Sequence, residues 1–266
     1  MTDQPIKLAL LVGINYIDTS SELSGCINDV ENTAEILTSI YNYDQSNIVT
    51  LTDNTEIKPT GNNIVTEIIS LAEQSYKKNI SDIWISYSGH GAYISDNNND
   101  ENDKRDECLV PLDYVENGLI TDDILNHALG LINPKTKVVV VIDACHSETM
   151  LDLKYRYISG KKNVIENENC KVASNCIMIS GCQDPDYSSD AFDINNSKEF
   201  SGAMTTSLLT VLKNFDYSIT CWRLLKEMRR FLKRRKFSQI PQITCTNKLT
   251  CATIFSCVDP KPFITN

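Results

Sequence analysis

Residues 137–142 read KVVVVI and run directly into Asp143-Ala144-Cys145-His146-Ser147. An unbroken β-branched run of this kind is a strand buried on both faces, as in a parallel sheet covered by helices. It delivers a carboxylate and a thiol at its carboxyl end. Working outward, residues 81–87 (SDIWISY) form a similar strand that opens into Ser88-Gly89-His90-Gly91, and residues 7–16 (KLALLVGINY) form another. Between these lie residues 28–41, with Val30, Ala34, Leu37 and Tyr41 at helical spacing and Asn28 or Asp29 available as N-cap. A short strand at 47–52 and a helix at 62–76, with Ile64, Val65, Ile68, Ile69 and Ala72 on one face, complete a second βα unit.

Beyond His90 a polar loop is expected to run to Glu107, followed by a short helix within 119–131 capped by Thr121. After Ser147 the pattern gives a strand at 176–180, helices at 202–213 and 220–236, and an extended segment within 241–256. Strands alternating with helices predict a single α/β domain over residues 1–266, a mainly parallel central sheet flanked by helices. Residues 154–175, rich in Lys, Asn and Glu, are the expected mobile loop. In such sheets ligands bind outside the carboxyl ends of the strands, where both His90 and Cys145 fall.

Composition narrows the function. Over 266 residues, 41% hydrophobic and 23% charged content is ordinary globular usage. A formal charge of −10 argues against nucleic acid as a partner and favours basic substrates. No apolar run nears the roughly 20 residues of a membrane span, and no secretory leader is visible. Ten cysteines without a C-x-x-C pair read as reduced thiols of an intracellular, cytoplasmic protein. Cys170, Cys176 and Cys182, like Cys245, Cys251 and Cys257, repeat every six residues and are expected to be small buried hydrophobes. The basic run 228–237 (MRRFLKRRKF) is expected to be the solvated face of an amphipathic helix.

Three histidines are present. His127 lies inside a predicted helix and reads as structural, and His146 points away from its neighbour Cys145 if extended geometry continues there. His90 remains as the acid/base partner of Cys145. A thiol attacks efficiently only as thiolate, so a nearby imidazole must take its proton and later return it. The backbone N–H groups of Gly91 and Cys145 are candidate oxyanion donors, since a glycine lets the main chain approach the substrate. In extended geometry Asp143 shares the face of Cys145, as Ser88 shares that of His90.

The set YSGHG (87–91), DACHS (143–147) and ISGC (179–182) resembles the caspase-like cysteine peptidases, in which His precedes Cys by about 50 residues. Asp143 stands where caspases have Gln, and with LVGINY, GCINDV, ITDD, GAMTTSLL and PQITC the chain is similar to the metacaspases over nearly its whole length. The resemblance implies a caspase-like three-layer sandwich: a type I-like catalytic core without a prodomain, acting as a monomeric endopeptidase that cleaves after Arg or Lys through an acyl-enzyme. It implies Asp29 as a second pocket carboxylate beside Asp143 and Ser88, with Cys26 near the pocket rim. It also implies calcium stimulation, with Asp106, Asp122, Asp123 and Asp152 as ligands. Exposure in the expected loop and a basic P1 residue make Lys161 and Lys162, or Arg156 before them, candidate self-cleavage sites. The stretch 96–107 has EF-hand-like spacing but Glu101 replaces the required Gly. The family also often has Gly where this chain has Lys104. The competing readings are a silent caspase-like scaffold that binds partners through an acidic cleft, and a redox sensor at Cys145.

Overall fold

A computed structural model describes residues 5–77, 79–95, 105–145, 147, 150–157, 164–183, 202–237 and 239–255. In chain order the elements are β1 (Ile6–Gly13), α1 (Cys26–Ser39), β2 (Ile48–Thr52), α2 (Gly61–Lys77), β3 (Ile80–Ser88), β4 (Gly91–Ser95) and β5 (Arg105–Leu109). There follow α3 (Tyr114–Asn117), β6 (Ile120–Thr121), α4 (Asp122–Gly130), β7 (Lys137–Asp143), β8 (Tyr155–Tyr157) and β9 (Val164–Glu166). The last are β10 (Asn175–Gln183), α5 (Ala203–Asn214), α6 (Cys221–Arg234) and β11 (Gln239–Cys245).

One eight-stranded sheet has the order β2-β1-β3-β7-β10-β11-β8-β9. Neighbours from β2 to β10 pair in parallel, while β11, β8 and β9 add antiparallel strands. Alternation along the apolar runs divides the core into two layers. Leu8, Leu10, Val12, Val138, Val140 and Ile142 pack with α2 and α4 through Ile64, Ile68, Leu125 and Leu129. Ala9, Leu11, Val139 and Val141 face the other way, onto α1, α5 and α6 through Val30, Leu37, Leu208 and Leu224. The chain is therefore an α/β sandwich of helix, sheet and helix layers, and KVVVVI lies at its centre.

Several elements depart from the expected pattern. The N-cap of α1 is Gly25, at φ 114°, rather than Asn28 or Asp29, which lie inside the first turn. Thr121 does cap α4, accepting the Ile124 N–H. The polar stretch after His90 is flanked by β4 and β5, which with β6 build a separate antiparallel sheet. Within 154–175, where a loop was expected, β8 and β9 pair as a hairpin on the edge of β11; their aromatic and β-branched residues suit a strand. Cys176 and Cys245 are buried as expected, but Cys170 is half-buried and Cys251 exposed. Both lie outside strands, so even spacing sets no common face for them. His127 is exposed in the last turn of α4. Met228 and Leu232 bury one side of α6, leaving its basic residues largely in solvent.

Candidate active site at the carboxyl edge of the sheet

Parallel pairing sets the geometry of the site. Ser88 of β3 lies opposite Asp143 of β7, and the Gly89 N–H extends the contact by donating to the Asp143 carbonyl at 3.2 Å. His90 and Cys145 each lie two residues past that matched pair. A Cβ placed on Gly91 would fall onto the carbonyl oxygen of Cys145 and stand 3.1 Å from Ala144 Cβ. Only glycine permits this approach. Cys145 is half-exposed between buried Ala144 and buried Ser147. The Ser147 hydroxyl lies 3.0 Å from the Ala144 carbonyl and 2.8 Å from that of Gly181, which ties the turn to β10.

The strand partner of Gly91 is Leu109, and the Val110 N–H donates to the His90 carbonyl at 3.2 Å. That bond makes Gly91 and Leu109 a non-hydrogen-bonded pair of the antiparallel ladder. The Gly91 N–H therefore points away from β5, as an oxyanion donor requires.

His90 is buried, and its Nε2 lies 2.8 Å from the carbonyl oxygen of Ser21. A carbonyl can only accept, so Nε2 carries the proton of the neutral ring and Nδ1 is left as the basic nitrogen. Burial holds the imidazole pKa below its ordinary value, opposed in part by the Ser21 bond. The ring is thus neutral near pH 7 and able to accept a thiol proton.

Beside this pair, two carboxyl groups lie in a water-poor pocket. Ser88 Oγ donates to Asp29 Oδ2 at 2.6 Å. Asp143 has no exposed surface. It accepts the Thr205 N–H at 2.7 Å and the Gln239 amide at 3.2 Å. Burial and then the charge of Asp143 push Asp29 up to about 8, with Ser88 opposing. Burial also raises Asp143, against the bonds from Thr205, Gln239 and Gly202. Gly202, at φ 105°, brings its backbone against the Asp29 carboxyl, where a Cβ would stand 3.0 Å from Oδ2. Cys26, expected near the rim, is wholly buried at the start of α1, with its N–H bonded to Asn15 Oδ1. Its thiol lies near the buried phenols of Tyr16 and Tyr87 rather than at an exposed edge.

The four expected calcium ligands are less well assembled. Asp106 and Asp122 are both buried. They lie near Cys108, whose thiol is pushed up to about 12 by burial and then by these two carboxylates. Asp122 accepts the N–H of Glu107 at 3.1 Å and of Asp123 at 2.8 Å. Asp123 is half-buried, as is Asp152, which has a φ of 44°. Among the described residues, no group of three or more His, Cys, Asp or Glu side chains is gathered so as to hold a metal ion. Calcium takes about 6–8 oxygen ligands, and as placed these carboxylates do not form such a cage.

Residues 7–154 match the family described as "Metacaspase, peptidase C14 domain". The chain belongs to the metacaspases. Metacaspase-3 of Trypanosoma brucei brucei is 30% identical over 93% of the chain and 73% of its own length. The protein named Inactive metacaspase-4 of the same organism is 30% identical over 93% of the chain and 74% of its own. Caspase-1 of Spodoptera frugiperda superposes with a TM-score of 0.54 at 13% identity, covering 90% of this chain and 86% of that one, and so shares the fold. This metacaspase is accordingly a cysteine endopeptidase with protein substrates.

Several residues that shape the metacaspase site escape a sequence reading. Ser21 acts through its main chain, which leaves no side-chain signature. Thr205 and Gln239 reach Asp143 from elements more than 60 positions away, and only the folded sheet brings them there. GAMTTSLL and PQITC mark their neighbourhoods as family segments without assigning them a role.

Proposed function

We propose that this metacaspase hydrolyses peptide bonds after Arg or Lys, with Cys145 as nucleophile and His90 as acid/base. The observation that supports the reading is the β3–β7 register, which pairs Ser88 with Asp143 two residues before His90 and Cys145, together with the close approach of Gly91 to the Cys145 carbonyl. His90 Nδ1 takes the thiol proton as sulfur attacks the scissile carbonyl carbon. Negative charge collects on the carbonyl oxygen, facing the N–H groups of Gly91 and Cys145. Collapse breaks the C–N bond, His90 returns its proton to the leaving amine, and a thioester remains. His90 then deprotonates a water molecule, whose attack releases the new carboxylate and restores the thiol.

The basic-residue preference rests on Asp29 and Asp143, two buried carboxyl groups with no cation near them in the described pocket beyond the substrate's own. An incoming guanidinium would meet charge-assisted, partly bidentate bonds there, and an ammonium a less directional attraction. The test is a fluorogenic series with Arg, Lys, Asp or Ala in the P1 position, on wild type and Asp143→Asn. Arg and Lys peptides should lead in the wild type, and the variant should lose about 100-fold on them, in line with about 3 kcal/mol for breaking a buried pair. Equal turnover of the Asp peptide would overturn the preference.

Calcium stimulation is part of the same proposal, supported by the family resemblance and by the adjacent buried carboxyls Asp106 and Asp122. It requires Asp123 and Asp152 to be drawn toward them. Equal peptidase rates in excess calcium and excess chelator would contradict it. Monomeric behaviour is supported by the β8–β9 hairpin, which occupies the edge of β11 that another chain could otherwise pair with. A reducing, cytoplasmic setting is supported by eight described cysteines that are all free.

A further inference from the structure

Beneath His90 lie two phenols that take no part in bond making or breaking. Tyr16, in the loop between β1 and α1, and Tyr87, next to the end of β3, are 1% and 2% exposed. Their hydroxyl oxygens are 3.1 Å apart. Tyr16 Oη donates to the Val110 carbonyl at 2.6 Å and accepts the His90 N–H at 3.0 Å. Tyr87 Oη lies 2.9 Å from the carbonyls of both His90 and Val110. Each phenol has one proton and the carbonyls can only accept. The shortest bond commits the Tyr16 proton to Val110, which leaves that of Tyr87 for His90.

The two hydroxyls thus hold His90 by its N–H and its C=O together. The Tyr16 ring also packs on the imidazole, with centroids 4.7 Å apart at 41°. A Cβ on Gly89 would stand 2.8 Å from Tyr87 Oη and 3.1 Å from Tyr16 Oη, so the backbone rests directly on the pair. Tyr16 adopts φ 50°, a left-handed conformation unfavourable for a residue with a ring side chain. Its loop is held there by Asp53, which accepts the N–H groups of Asn15 at 2.7 Å and Ile17 at 3.2 Å. The Thr19 hydroxyl also donates to the Tyr16 carbonyl at 2.7 Å. Such outliers persist where surrounding structure over-determines them, often at functional sites.

We propose that Tyr16, assisted by Tyr87, is a positioning residue for catalysis, fixing the His90 backbone so that Nε2 stays on the Ser21 carbonyl and Nδ1 faces the thiol. The inference rests on the Cys145–His90 reading above. Losing the Tyr16 hydroxyl frees the His90 N–H and loosens the Nε2 bond, which removes support for the imidazolium.

The test uses Tyr16→Phe and Tyr87→Phe, with His90→Ala as control. Each would be assayed for kcat and KM on an Arg peptide per site titrated with an irreversible Arg-directed inhibitor, and for the pH profile of Cys145 alkylation by iodoacetamide. Tyr16→Phe should lower kcat per titrated site by about tenfold or more, in the range of general acid–base contributions, with KM within about twofold. Its alkylation profile should move to higher pH, because a less stable imidazolium holds less of the thiol as thiolate. Tyr87→Phe should act in the same direction but less, and it carries the test if Tyr16→Phe does not fold. Unchanged kcat per site and an unchanged profile in the folded variants would reduce the tyrosines to packing and overturn the inference. If His90→Ala hydrolyses and alkylates like wild type, the dyad reading itself fails, whatever the tyrosine variants do.

Discussion

Asp29 and Asp143 carry two carboxyl groups into the interior at a cost to the fold. A carboxyl whose folded pKa is near 8, against about 3.9 in an unfolded chain, binds more protons folded than unfolded between those values. Its contribution to stability is therefore full below pH 4 and lost as pH rises through 8. The melting temperature should fall over that window, and Asp29→Asn should flatten the slope; parallel pH–melting curves for the two proteins would contradict this. Sequence alternation predicts Asp143 with Cys145 and Ser88 with His90, and the strand register brings Ser88 beside Asp143. It could not separate a pocket carboxylate from a helix cap at Asp29, because the distinction depends on Gly25 taking a left-handed conformation. The Ser21 carbonyl was beyond reach for a different reason: any residue type supplies it.

At the level of elements, two neighbouring parallel strands end in step and carry their loops with them. β1, β3 and β7 were legible because each is an unbroken apolar run needing cover on both faces. β4 and β5 were not, since they flank a polar stretch and are too short, as GAYIS and RDECL, to carry a long apolar run. The edge hairpin of β8 and β9 was hidden by the charged residues around it. The tightest joint between elements is Gly91 against the Cys145 carbonyl. Gly91→Ala should push the His90 loop off the β7 turn, and misplacement of about 1 Å costs on the order of 100-fold in rate. We expect kcat/KM to fall by about that much while far-ultraviolet circular dichroism keeps the native shape. A Gly91→Ala enzyme with wild-type kinetics would show that the two loops are not held as described.

As a whole, the molecule carries an excess of acidic charge, α6 presents a locally basic face, and no described helix is long and apolar enough to cross a membrane. The chain's own hairpin covers β11 and leaves the three-residue β9 at that end of the sheet, so light scattering after gel filtration should give a mass near 29.9 kDa, where a dimer would show the β8–β9 edge to be insufficient cover. The proposed activity turns on one chemical event, the attack of Cys145 assisted by His90. The most direct measurement is the rate of hydrolysis of an Arg-P1 fluorogenic peptide, in calcium, by wild type, Cys145→Ala and His90→Ala at matched folded concentration. The account predicts clear turnover by wild type and a loss of at least about 1,000-fold in each variant, on the scale seen when a catalytic nucleophile or its base is removed. Comparable turnover by Cys145→Ala would place the nucleophile elsewhere and contradict it.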